Sequence, residues 1–216
     1  MDPQSIRDAA RRLAPIAALY TLRLRECGSA ARGVYWKNEE GQRLRFEVLL
    51  GVLDLKDDAG GITINDLGCG YGAFFDYLAD KPVMQGSRFF GYDISDKMVI
   101  EARTRIQDTR ATFTQSLMAT EVADYSFVSG TYNMKLDEHD RDWSAYVEEN
   151  LKQLWSKTRR GLAFNMLDLR TKKRKENDLY YADWQVYRDF CLRDLSPNVE
   201  VLRNYPLDEW TIYVHR

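Results

Sequence analysis

The stretch that most restricts the fold is Ile64-Asn65-Asp66-Leu67-Gly68-Cys69-Gly70-Tyr71-Gly72, where an apolar run able to form a strand leads through alternating glycines into a helical segment. Gly68, Gly70 and Gly72 lack a Cβ, so the turn can take positive φ and a ligand can lie directly on its backbone. In open α/β sheets such a turn sits at the carboxyl end of the first strand, where the strand order reverses and leaves a crevice.

The sequence beyond this turn repeats the same grammar. Short apolar runs at residues 62–67, 88–92, 111–115, 125–129 and 162–167 alternate with helical segments at 72–80, 96–107 and 142–157, the pattern of a parallel sheet covered by helices. Ser95 is the expected cap of the second helix. A helix at 182–192 follows, then two extended runs at 199–203 and 210–215, joined by a short turn containing Pro206 and Asp208. So tight a connection requires antiparallel pairing, so the sheet is expected to be mixed, with a hairpin at its end. Ahead of the sheet, Asp2 and Pro3 open a helix whose apolar positions Ile6, Ala9, Ala10 and Leu13 recur until Pro15 interrupts them, and a second short helix is expected at 15–25. Asn38 can cap a third, with Leu44, Val48, Leu49, Val52 and Leu53 on one face. Residues 1–60 thus read as an N-terminal helical lid and 61–216 as the sheet domain.

Composition excludes several classes. In 216 residues, 44% hydrophobic and 30% charged with only 5 Pro, the chain is globular rather than disordered. Its 31 basic and 33 acidic residues leave a formal charge of −2, which supplies no field to draw a polyanion. The one basic stretch, 168–178, holds five basic and three acidic residues without interleaved aromatics and reads as a solvated loop. Cys27, Cys69 and Cys191 are too few and too widely spaced for a disulfide framework or a structural zinc site, which favours a reducing, cytoplasmic setting. Charges at Arg7, Asp8, Arg11, Arg12 and Arg23 break the N-terminal apolar pattern, so neither a signal peptide nor a membrane span is expected.

A second element sharpens the first. Phe89-Phe90-Gly91-Tyr92-Asp93 is a strand closing on a carboxylate 21 residues after Gly72, and a carboxylate there can accept both hydroxyl hydrogens of a ribose. The two elements together resemble the first signature motifs of the class I S-adenosylmethionine-dependent methyltransferases: an acid two residues before the first glycine (Asp66), the Gly-x-Gly-x-Gly run, and the acid after the next strand. The resemblance implies a doubly wound α/β fold with a seven-stranded mixed sheet whose last strand is antiparallel, and S-adenosylmethionine as cofactor. It assigns Asp66, Gly68, Cys69, Gly70, Gly72 and Asp93 to the cofactor, with Ile94 and Met98 packing on its base and Ser129 after the fourth strand beside it. The segment after the third strand lacks the usual aspartate, leaving Gln115 or Ser116 to accept the exocyclic amine and Leu117 to pack on the ring. Arg45 could pair with the cofactor carboxylate. Gly68-x-Gly70-x-x-Ala73 also satisfies a permissive dinucleotide fingerprint. Against that reading stand Asp66 beside a pyrophosphate, the long helical preface, and the absence of a second domain for a hydride acceptor.

On the acceptor side, Val128-Ser129-Gly130-Thr131-Tyr132-Asn133-Met134 lacks the Asn or Asp followed by Pro-Pro and an aromatic that looks like the enzymes methylating nucleic-acid bases or glutamine. A small-molecule acceptor is therefore expected and a nucleic-acid partner is not. Tyr35 and Trp36 are candidates for the lid. Tyr132, Asn133, Asn165 and Asp168 at strand ends, and Tyr180 and Tyr181 beyond the basic stretch, are candidates for contact with the acceptor. No catalytic base stands out, since His139 and His215 carry no supporting pattern, and in-line methyl transfer rests mainly on positioning. RNA or protein methylation, and a catalytically silent module of the same fold, remain open alternatives. The methylated atom and the oligomeric state are not legible.

Overall fold

The computed structural model describes residues 3–171 and 176–216; Asp2, expected as a helix cap, and Lys172, Lys173, Arg174 and Lys175 of the basic stretch lie outside them. Eight strands form one sheet: β1 (Thr63–Leu67), β2 (Arg88–Asp93), β3 (Ala111–Gln115), β4 (Ala123–Ser129), β5 (Thr158–Asp168), β6 (Tyr181–Ala182), β7 (Asn198–Leu202) and β8 (Glu209–His215). Their order is β3-β2-β1-β4-β5-β8-β7, with the two-residue β6 paired to the end of β5. Strands β1 to β5 are parallel, and β8 runs antiparallel between β5 and β7. This is the Rossmann-like mixed sheet expected from the sequence, with the short β6 as the addition. β1 has β2 on one side and β4 on the other, so the chain leaves it in opposite directions and a crevice opens at the carboxyl ends of β1 and β4.

Helices cover both faces. Phe46, Leu49 and Val52, from and just after α2 (Glu39–Leu50), pack with α3 (Ala73–Leu78) and α4 (Asp96–Arg105) over one apolar cluster containing Phe74, Leu78, Phe89 and Phe127. α1 (Pro3–Cys27), α5 (Asp140–Ser156) and α6 (Trp184–Asp194) enclose the other, with Leu13, Ile16, Trp143, Leu151, Phe190 and Trp210. Asn38 and Ser95 cap α2 and α4 through the amides of Gly41 and Met98, as their side chains allow.

The structure corrects one expectation for the preface: α1 is a single helix that passes through Pro15. Proline removes the N–H that would bond the Arg11 carbonyl, but Arg11 and Pro15 are exposed, so water can take that carbonyl. The apolar stripe Ala9, Leu13, Ile16 stays buried across the proline and holds the helix together. Among the described residues no helix is long and apolar enough to cross a membrane.

Candidate active site

The crevice at the strand ends is a cavity of about 750 Å³, within the range of small-molecule sites. The glycine turn forms its floor. Gly68 and Cys69 donate their amides to the Tyr92 carbonyl at 2.7 and 2.9 Å, folding the turn back over β2. Gly68 has φ of 81°, and any side chain there would collide with Thr131. The Thr131 hydroxyl donates to the Leu67 carbonyl at 2.8 Å, fastening the turn after β4 to the end of β1. Backbone strain and lack of space both require glycine at this position.

Asp93 ends β2 beside the turn. Its Oδ2 accepts from the Gly70 amide at 2.9 Å and its Oδ1 from the Ser95 amide at 2.8 Å. Burial raises its pKa against the pull of those amides. Asp66 is 2% exposed and its Oδ2 has no hydrogen-bond partner. Burial, reinforced by the charge of Asp93, pushes its carboxyl up to about 8. Ser129 Oγ is likewise buried without a partner in the same wall. Unsatisfied buried polar atoms are uncommon in folded proteins; here they face a cavity whose ligand could satisfy them. Cys69 is buried and its thiol is held well above the ordinary range, so it contributes bulk rather than reactivity.

Ile94, Met98, Ser116 and Leu117 line the cavity beyond Asp93. Ser116 spends its hydroxyl on the Met118 carbonyl at 2.6 Å, and Gln115 turns away to the Ile94 carbonyl at 3.2 Å. On the opposite side lie Tyr35, Trp36, Tyr132, Asn133 and Tyr181. The Tyr132 phenol donates to Asn150 at 2.7 Å and burial raises its pKa well above normal, so it presents an aromatic wall and not a base. Asp168 and Tyr180 do not line the cavity, and His139 is exposed outside it.

Of two further expected residues, Arg45 lines the cavity with its guanidinium already paired, and Asn165 lies outside the lining. Arg45 is buried and its Nε reaches both carboxylate oxygens of Glu209, at 2.8 and 2.9 Å, with a further short bond from Nη2 to Oε1. Its guanidinium thus has Glu209 as a partner within the cavity wall; a cofactor carboxylate is the partner expected from the sequence. Asn165 lies behind the cavity wall, its Oδ1 accepting from the Gly130 amide at 2.7 Å and its Nδ2 donating to Glu209 at 3.1 Å. The structure also brings in residues that the sequence did not single out. Tyr20 lines the cavity from α1, and burial, reinforced by the charge of Asp93, raises its phenol pKa. Gln42, Tyr71, Trp143, Tyr146 and Glu209 complete the walls. Helical spacing with Leu13 and Ile16 places Tyr20 on the buried stripe of α1, a signal available in the sequence; Glu209 has no local signal.

Residues 64–161 match the model of a methyltransferase domain family. A protein of Mycobacterium tuberculosis named as a methyltransferase, Rv1506c, is 39% identical over 160 residues, covering 73% of this chain and 95% of its own. The chain is a class I S-adenosylmethionine-dependent methyltransferase. Solved structures support the methyltransferase's fold at lower identity. Magnesium protoporphyrin IX methyltransferase from Synechocystis, solved with bound S-adenosylmethionine, is 17% identical with a TM-score of 0.59, covering 82% of this chain and 80% of that one. A methyltransferase from Aquifex aeolicus is 19% identical with a TM-score of 0.54, covering 81% and 92%.

Proposed function

We propose that the enzyme methylates a small molecule held in the covered crevice, with the cofactor seated on Asp66, Gly68, Cys69, Gly70 and Asp93 and the acceptor against Tyr35, Trp36, Tyr132, Asn133 and Tyr181. Gly72, expected at the cofactor, faces Ile106 and Phe113 outside the cavity and shapes the turn. The observation that carries this reading is the roof. α1 supplies Leu13, Ile16 and Tyr20, and the segment from Val34 to Phe46 supplies Tyr35, Trp36 and Gln42. These residues support reading the N-terminal helices as a lid over the strand ends, around a site of small-molecule size. The low-identity relative from Synechocystis is named for a small-molecule substrate, which agrees with this reading.

The residues fit the cofactor by their chemistry. Asp93 retains acceptor capacity for ribose hydroxyls beyond its two amide bonds. Asp66 Oδ2 and Ser129 Oγ offer unsatisfied polar atoms, and the glycine turn leaves room for close approach, Gly70 facing only Val34 at 3.3 Å. Ile94, Met98 and Leu117 supply an apolar edge for the base, and Ser116 a polar one. Bound S-adenosylmethionine supplies an activated methyl group and its own leaving group. The chain then has to orient the acceptor, exclude water and leave a path for a proton, tasks in which positioning alone is worth roughly 7–11 kcal/mol. Among the described residues no histidine lines the cavity, and Asp66, whose carboxyl is pushed up to about 8 by burial and the charge of Asp93, lies on the cofactor side. An amine acceptor fits such a site better than an alcohol, because a neutral amine attacks without losing its proton first.

The reading is tested by following S-adenosylhomocysteine formation with a panel of small amines, phenols, carboxylic acids and sugars beside tRNA and unfolded protein. Turnover with a member of the small-molecule set supports it. Turnover confined to RNA or protein, with the steep salt dependence of phosphate contacts in the RNA case, replaces it.

A further inference from the structure

A continuous chain of polar groups runs along the acceptor side of the cavity, with Gly130, Glu209 and Arg45 in its wall and Asn165 behind it. The Gly130 amide donates to Asn165 Oδ1 at 2.7 Å; Asn165 Nδ2 donates to Glu209 Oε2 at 3.1 Å; Glu209 holds Arg45 through both carboxylate oxygens. Arg45 then lies over the Trp36 ring, its guanidinium carbon 3.8 Å from the ring centroid. The circuit closes on itself, because the Trp36 ring rests on Gly130, where the φ of 66° and the ring leave no room for a side chain. Four distant segments meet here: the lid, the turn after β4, the middle of the sheet and the start of β8. Asn165 and Glu209 are 1% and 2% exposed, and buried polar groups whose bonds are all made specify one arrangement.

We infer that Asn165, Glu209 and Arg45 are positioning residues that hold the turn at 130–133 and Trp36 in a single arrangement over the glycine turn. Asn165 does not line the cavity; it acts through Gly130. The same turn is tied to β5 by the Leu167 amide bonding Asn133 Oδ1 at 3.1 Å and to β1 by Thr131. Asn165 therefore sets its first residue while the other two bonds set the rest. The arrangement matters for catalysis on the reading that Tyr132 and Asn133 face the acceptor, but its existence can be measured without any acceptor.

The experiment uses the full chain saturated with S-adenosylhomocysteine, whose binding to the wild-type protein is the control for the cofactor reading. Hydrogen exchange reports the Gly130 amide, and fluorine NMR of 5-fluorotryptophan-labelled protein reports Trp36, assigned with Trp36→Phe. In Asn165→Ala the Gly130 amide is expected to exchange about tenfold faster, the worth of one lost buried hydrogen bond. The Trp36 resonance should move, and S-adenosylhomocysteine affinity should stay within about twofold. Asn165→Asp combined with Glu209→Gln keeps an acceptor for the Gly130 amide and a donor between the two side chains, avoids two facing carboxylates, and should restore most of its protection. Arg45→Met combined with Glu209→Leu replaces the ion pair with apolar groups, a change that buried pairs often tolerate, and should keep the fold while moving Trp36. A Gly130 amide and Trp36 resonance unchanged in Asn165→Ala would overturn the inference. So would faster exchange at Gly130 that merely matches a rise across the whole protein, or an Asn165→Asp, Glu209→Gln double variant no better protected than Asn165→Ala.

Discussion

Asp66 and Asp93 face one cavity from adjacent parallel strands, Asp66 paired in register with Gly91 and Asp93 two residues further along. Two backbone amides satisfy Asp93, whereas Asp66 keeps an oxygen without a partner, and the charge of the first raises the pKa of the second.

That inequality has a pH signature. The Asp66 carboxyl titrates near 8 in the folded chain and near 3.8 when unfolded. Below about pH 4 both states hold the proton, and the folded state loses its advantage as pH rises from there toward 8. Asp66→Asn, which cannot ionise, should melt at a temperature that falls less than the wild type's between pH 5 and 8. Parallel melting curves across that range would show that Asp66 is already ionised in the free protein. Because a cationic ligand favours the ionised carboxylate, binding of S-adenosylmethionine at pH 7 should also release protons, read by calorimetry in buffers of different ionisation enthalpy.

Asp93 carries the second expectation. Removing it in Asp93→Ala should weaken S-adenosylhomocysteine binding by roughly 1.5–3 kcal/mol, the worth of hydrogen bonds to a charged group. Asp93→Asn, which keeps one acceptor oxygen, should lose less. Titration calorimetry gives both values, and affinity equal to wild type in the alanine variant would remove Asp93 from the cofactor seat.

Gly130→Ala should destabilise the fold by at least roughly 1–2 kcal/mol, because its left-handed backbone is unfavourable for any L-residue. Displacement of Trp36, whose ring occupies the position of the new methyl group, adds to that cost. Thermal melts of Gly130→Ala with and without Trp36→Ala separate the two contributions: the second substitution relieves the collision and leaves the backbone penalty in place.

The preface should not be removable. Phe46, Leu49 and Val52 are buried against the sheet with Phe74, Tyr125 and Tyr213, and Leu13 and Ile16 belong to the opposite cluster. A chain of residues 61–216 should therefore lose cooperative unfolding and bind a hydrophobic dye at temperatures where the full chain does not. Retention of a sharp melt by the shortened chain would make the lid an accessory.

Much of this molecule was legible before its structure. Short apolar and extended runs between helical segments placed the seven longer strands, and the glycines with Asp66 and Asp93 marked the cofactor side, because strand, turn and cap preferences act over a few residues. β6 escaped notice because two residues paired to the end of β5 carry no periodic pattern. The break expected at Pro15 was wrong for a related reason: the local cost of a proline was read, but the burial of Leu13 and Ile16 that outweighs it comes from helices and strands far along the chain.

Residue types and spacing by themselves determined the fold class, the glycine turn and the family chemistry. Only the tertiary structure decided what Arg45 and Asn165 do. Arg45 and Glu209 are 164 residues apart, and no local preference encodes which buried carboxylate an arginine will meet. A buried charge must find its counter-charge wherever packing brings one within reach, so its partner is settled by how α2 and β8 come together.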